Sequence, residues 1–185
     1  MAPGPAPFDV VEASRRVWLE RWDPSSASGM AVFTGILRSY QLLKEQVDVV
    51  MRRHGLTFGR YEVLAWLATE PEPSLTLSWI SRTLRMPPAT LTSVIDHLEG
   101  NGLVRRVAHP SDARTTMAVT TAKGRQLADR VTEQLNEEVY RGIELPEPAR
   151  EALIELLRQL RALGNEFDVD RSEDVIESLR SGPSR

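Results

Sequence analysis

Apolar residues recur at helical spacing over most of the chain. From Met30 to Arg53 they fall at Val32, Phe33, Ile36, Leu37, Tyr40, Leu43, Val47, Val50 and Met51, close to the 3.6-residue period over about six turns. His54-Gly55 stops that helix, and a second is predicted from Phe58 to Thr69, with Tyr61, Leu64, Ala65 and Leu67 inward and Pro71 and Pro73 closing it. A short helix follows over Thr76 to Leu84, capped by Ser74 or Thr76. Pro87 and Pro88 suit the first turn of another helix and forbid one that runs through them. In it Leu91, Val94, Ile95 and Leu98 form an i, i+3, i+4, i+7 stripe, which leaves Thr90, Thr92, Ser93 and His97 around the outside. Gly100-Asn101-Gly102 ends it.

The period then changes. Leu103 to Val107 and Thr115 to Val119 are two runs with β-branched content and partial alternation, joined by the turn-forming tip His109-Pro110-Ser111-Asp112-Ala113-Arg114. Two more helices are predicted, Ala122 to about Tyr140 and Glu147 to about Gly164, split by Gly142 and the Leu145-Pro146-Glu147-Pro148 breaker. The last twenty or so residues are acidic, with a short helix expected around Glu173 to Leu179, and no internal repeat is evident. Ahead of all this, Phe8 to Pro24 carries Val10, Val11, Val17, Trp18, Leu19 and Trp22, the pattern of an added amphipathic helix.

Helix, tight turn, helix and hairpin is the order of a winged helix-turn-helix. The expected class is therefore mainly α with a small β-hairpin wing. Five segments follow: an N-terminal arm with an extra helix over 1–29, a dimerisation helix over 30–56, a DNA-binding lobe over 57–121, C-terminal dimerisation helices over 122–166 and an acidic tail over 167–185.

Charge changes this picture less by its total than by its distribution. A net charge of −3 and a pI near 5.7 argue mildly against a nucleic-acid partner. Between Ser74 and Arg125, however, seven basic residues stand against three acids, a surplus of four, whereas 126–185 has a deficit of six and 1–73 a deficit of one. Positive charge gathers on the helix-and-hairpin segment, where phosphate contacts are needed.

The absence of cysteine removes disulfides and thiolate metal sites, and three scattered His residues make no zinc site, so neither metal nor cofactor is expected. The N-terminus lacks the apolar core of a secretory signal and no run approaches a membrane span, so a cytoplasmic protein is expected. An enzyme is disfavoured: there is no G-x-S-x-G elbow and no phosphate-binding glycine loop, and Glu137-Glu138 reads as part of a solvated helix face.

The run Pro88-Ala89-Thr90, Asp96-His97-Leu98-Glu99, Gly102-Leu103-Val104, Arg106, Asp112-Ala113-Arg114 and Thr121-Ala122-Lys123-Gly124 resembles the MarR family of winged-helix transcription regulators, over roughly Met30 to Gly164. The resemblance implies a homodimer whose terminal helices pair about a two-fold axis and whose lobes each take one half of a palindromic operator in double-stranded DNA. It also implies repression relieved by a small aromatic or anionic effector. On this reading Thr90, Thr92, Ser93 and His97 approach phosphates or base edges from the reading helix. The family often has Arg at the Ser93 and His97 positions, so this chain has fewer guanine readers. Arg114 matches the family's minor-groove arginine, with Asp112 orienting it by a charge-assisted hydrogen bond. Arg105 and Arg106 reach toward the flanking backbone.

The apolar excess on Met30 to Arg53 and on Leu153, Ile154, Leu156, Leu157, Leu160 and Leu163 favours burial against a second chain. The extra Trp-bearing helix is similar to the urate-responsive branch of the family. It nominates Trp18, Trp22, Tyr40, Arg60, Glu62 and Trp66 for the effector site, although Glu62 stands where that branch carries an aspartate. A winged helix that binds protein rather than DNA is the alternative of a different class, against which the basic segment and Arg114 weigh.

Overall fold

The fold comes from a computed structural model describing residues 4–69, 74–168, 172 and 176, without the side chains of 74 and 113. It divides into two compact units, Met1–Tyr61 and Glu62–Arg185.

The first unit holds α1 (Val10–Leu19) packed on α2 (Pro24–Arg53). Asp9 Oδ1 accepts from the N–H groups of Val11 at 2.9 Å and Glu12 at 3.2 Å, satisfying donors that the first turn leaves orphaned. The long helix starts six residues earlier than its apolar periodicity indicates. Asp23 caps it through the Ser26 N–H at 3.0 Å, and Pro24 occupies the first turn, so a proline read as the end of the extra helix opens the next one. It ends as expected: Gly55 takes φ +66°, and the Leu56 N–H returns to the Met51 carbonyl at 3.1 Å.

Along α2, Ala27, Val50 and Met51 are buried, whereas Val32, Phe33, Ile36, Leu37, Tyr40, Leu42 and Leu43 are exposed. A third helix, α3 (Phe58–Thr69), carries the chain into the second unit; Tyr61, Val63, Leu64 and Leu67 on it are buried.

The second unit continues through β1 (Ser74–Thr76), α4 (Leu77–Thr83), α5 (Pro88–Gly100), β2 (Val104–His109), β3 (Asp112–Thr120), α6 (Ala122–Leu135) and α7 (Glu147–Leu163). The expected Leu91, Val94, Ile95 and Leu98 stripe of α5 is buried, as are Ile80, Leu103, Val104, Ala118, Ala128, Val131 and Leu135. Each Leu, Ile or Val side chain among them contributes about 1.5–3 kcal/mol when fully removed from water. The sheet is antiparallel in the order β1-β3-β2, so the expected hairpin gains a third strand. Ser74 to Thr76 is three residues long, too short to show alternation, and it forms by pairing with Met117 to Val119. Thr76 then caps α4 through the Trp79 N–H at 3.2 Å.

A compact latch joins the α5–β2 turn to the start of α6. Gly102 has φ +69°, and Leu103 returns its N–H to the Leu98 carbonyl at 2.9 Å. The Thr121 hydroxyl donates to the Gly102 carbonyl at 2.8 Å and accepts from the Gly124 N–H at 3.0 Å, while Lys123 Nζ reaches the Asn101 carbonyl at 2.8 Å. Gly124 is there for closeness: a Cβ at this position would lie 2.0 Å from the Leu103 carbonyl oxygen.

α6 runs on into a π-helical turn over Asn136–Tyr140. In α7 no residue is buried, and Leu153, Ile154, Leu156, Leu157, Leu160 and Leu163 are all exposed. The helix expected around Glu173 to Leu179 and the closure of α3 by Pro71 and Pro73 lie outside the described residues. Among the described residues no helix is long and apolar enough to cross a membrane.

Candidate DNA-binding surface

Burial of one face of α5 decides what the other face offers. Thr90, Thr92 and Ser93 are exposed, and His97 is half-buried. Thr92 donates its hydroxyl to the Pro88 carbonyl at 2.9 Å, a back-bond that leaves only its oxygen lone pairs facing outward.

The wing departs from a plain hairpin. Pairing is regular from Val104 opposite Thr120 to Ala108 opposite Thr116, but His109 then faces Asp112. The expected long tip is therefore a tight turn over Pro110-Ser111 followed by a bulge at 113–115, which carries Arg114. Asp112 builds this bulge. Its Oδ1 accepts from the Arg114 backbone N–H at 3.0 Å and its Oδ2 from the Thr115 hydroxyl at 2.7 Å. These bonds, the Thr115 hydroxyl first, hold the Asp112 carboxyl below its ordinary range. The expected hydrogen bond from the Arg114 guanidinium to Asp112 is thus replaced. The carboxylate shapes the backbone, because both its oxygens face nearer donors, and the Arg114 side chain stands exposed.

Arg106 also departs from expectation. Instead of reaching outward, its guanidinium binds Glu99 Oε2 at 2.5 Å and Asp96 Oδ1 at 2.6 Å, and its backbone N–H donates to Glu99 Oε1 at 2.8 Å. That N–H, followed by the guanidinium, holds the Glu99 carboxyl below its ordinary range. Other basic residues of the segment serve the fold in the same way. Lys123 holds the Asn101 carbonyl, and Arg125 donates to the Ala68 carbonyl at 2.7 Å near the end of α3. Arg82, Arg105 and Arg114 are exposed and make no such bond among the described residues.

Arg82 was not among the residues picked out by sequence. It lines a shallow cleft between α4 and α5 together with Ser78, Ser81 and Thr92. The signal for it was the outer face of the short helix, legible only once Ile80 is known to be its buried residue.

The six residues nominated for an effector divide between the two units, Trp18, Trp22, Tyr40 and Arg60 in the first and Glu62 and Trp66 in the second. Trp66 packs edge-on against Trp79, with ring centroids 5.7 Å apart, because its helix face turns into the second unit. Trp18 and Trp22 are exposed, Trp22 at 59%. Arg60 and Glu62 are half-buried, and burial pushes the Glu62 carboxyl up. Tyr40 lines a cavity of about 680 Å³ in the first unit, with Leu43, Lys44, Val47, Asp48, Met51 and Arg52 among its walls.

The comparisons agree with this architecture. A sequence profile of the MarR family matches residues 54–115, from the end of α2 to the wing bulge. The homoprotocatechuate degradative operon repressor of Escherichia coli is 32% identical over 129 residues, which cover 68% of this chain and 82% of that protein. The chain belongs to the MarR family. It is accordingly a transcription regulator and not an enzyme.

Solved MarR-family structures extend the match beyond the profile. Sco5413, a MarR family transcriptional regulator from Streptomyces coelicolor, is similar at a TM-score of 0.68 and 32% identity, covering 76% of this chain and 98% of that one. The transcriptional repressor CouR, solved bound to a 23-mer DNA duplex, is similar at a TM-score of 0.63 and 26% identity, covering 68% of this chain and 89% of that one.

Proposed function

We propose that this MarR-family chain is a homodimeric repressor in which each lobe binds one half of a palindromic operator. The observation that carries the reading is the joint presentation of two polar elements in one lobe. The exposed face of α5 offers Thr90, Thr92, Ser93 and His97, and the Asp112-built bulge holds Arg114 clear of the sheet. A helix of this kind fits the major groove, and an arginine on a narrow ribbon fits the adjacent minor groove, whose negative potential attracts it. Arg105 and Arg82 supply phosphate contacts on either side. Such a regulator acts where the chromosome is, which places it in the cytoplasm.

The second chain covers the apolar surfaces of α2 and α7. An effector enters the cavity beside Tyr40, whose largely apolar walls carry Arg52 and the ion pair of Lys44 with Asp48, so that Arg52 is the cation offered to an aromatic acid; its volume is in the range of small-molecule sites. The name of the Escherichia coli relative, which ties it to degradation of homoprotocatechuate, an aromatic acid, supports that ligand class.

Arg114→Ala tests the reading. It should weaken binding to an operator duplex by at least about 1 kcal/mol and leave the oligomeric state unchanged. Aromatic carboxylates added to the wild-type complex should release the DNA. An Arg114→Ala variant that binds as tightly as the wild type contradicts the assignment of the wing.

A further inference from the structure

The acids of the reading helix raise a physical question that DNA binding alone does not answer. Asp96 and Glu99 lie one turn apart on α5, and the Asp96 side chain is 61% exposed. Carboxylates on a helix that approaches phosphates oppose binding by Coulomb repulsion. Both are instead committed to Arg106 of β2. Three bonds join this residue to α5: guanidinium to Glu99 at 2.5 Å, guanidinium to Asp96 at 2.6 Å, and the Arg106 backbone N–H to Glu99 at 2.8 Å. The planar guanidinium spans both carboxylates in a way an ammonium cannot. The bond from the backbone N–H fixes the strand itself and not only a side chain.

We infer that Arg106, through Asp96 and Glu99, is a positioning residue for DNA binding, locking the wing to the reading helix so that α5 and Arg114 engage one duplex together. The lever arm makes the lock consequential. Arg106 is three residues from the turn at His109, about 10 Å at roughly 3.3 Å per residue, so a pivot of about 15° there displaces the tip by about 3 Å. A displacement of that size exceeds the tolerance of a hydrogen-bonding site. With the lock in place, Arg114 is delivered at high effective concentration once α5 is seated.

This inference rests on the DNA-binding reading, and the experiment separates the two. A duplex selected from a random-sequence pool by the wild-type protein serves as the operator, and its affinity is measured over a salt series for wild type, Asp96→Ala, Arg106→Lys, Arg114→Ala and the Asp96→Ala/Arg114→Ala double variant. Removing an acid from a DNA-facing helix should tighten binding if Asp96 is only a surface charge. The lock predicts the opposite sign, with Asp96→Ala weakening binding about five-fold or more at an unchanged salt slope. Arg106→Lys, which keeps the charge, should weaken it comparably, whereas a direct phosphate contact would survive that change. Arg114→Ala should cost less in the Asp96→Ala background than in the wild type, because a released wing no longer delivers the arginine.

Tighter or unchanged binding by Asp96→Ala, or strict additivity with Arg114→Ala, overturns the inference while leaving the regulator intact. Failure of the wild type to select or bind any duplex overturns both. Asp96 is exposed, so its variant carries the test even if Arg106→Lys melts early.

Discussion

Single residues in this chain often serve geometry where their chemistry suggests recognition. Asp112 is the plainest case, since both its oxygens are used to fold the bulge that presents Arg114. Gly124 is another. Its value is the absence of a Cβ where α6 abuts the Leu103 carbonyl, the point at which the Thr121 and Lys123 bonds close the lobe behind α5. Gly124→Ala places a carbon 2.0 Å from a backbone oxygen, which no side-chain rotation relieves. We expect it to destabilise the protein by at least about 2 kcal/mol, seen in thermal unfolding as a fall in Tm of at least about 4 °C. An unchanged Tm would show that the latch is dispensable.

Whole elements were legible where they were long and periodic. The α5 stripe of Leu91, Val94, Ile95 and Leu98 was readable because a buried face must recur at helical spacing, and all four are buried. The start of α2 was hidden because Pro24 and Asp23 look like a helix end unless their capping geometry is known. The strand Ser74–Thr76 was hidden because its only warrant is pairing with β3, a partner more than forty residues away in sequence. The roles of Arg105 and Arg106, adjacent in sequence, were inseparable until alternation on β2 turned one toward Asp96 and Glu99. For the same reason the charge surplus includes Arg106, Lys123 and Arg125, whose side chains are held by bonds within the lobe.

At this scale α7 makes a clear prediction, since it has no buried residue and leaves Leu163 83% exposed. If a second chain covers its face, Leu156→Glu together with Leu160→Glu should shift the sedimenting species from about twice the chain mass of 20.8 kDa to the monomer. A wild-type monomer at micromolar concentration would contradict the proposed dimer.

The molecule as a whole is acidic yet carries a basic lobe, and this contrast bears most directly on function. A net charge of −3 predicts weak affinity for DNA if charge acts as an average. The local distribution predicts that Arg82, Arg105 and Arg114 of each chain meet phosphates or the minor groove, while the acids on 126–185 lie elsewhere in the sequence. The two views differ in one observable. Binding of the wild-type protein to its selected operator, measured by fluorescence anisotropy across a salt series, should give log K falling linearly with log salt, at a slope near −0.9 for each phosphate neutralised, or about −4 to −5 for a dimer using two or three arginines per lobe. A flat salt dependence, or no binding at low salt, would contradict the account.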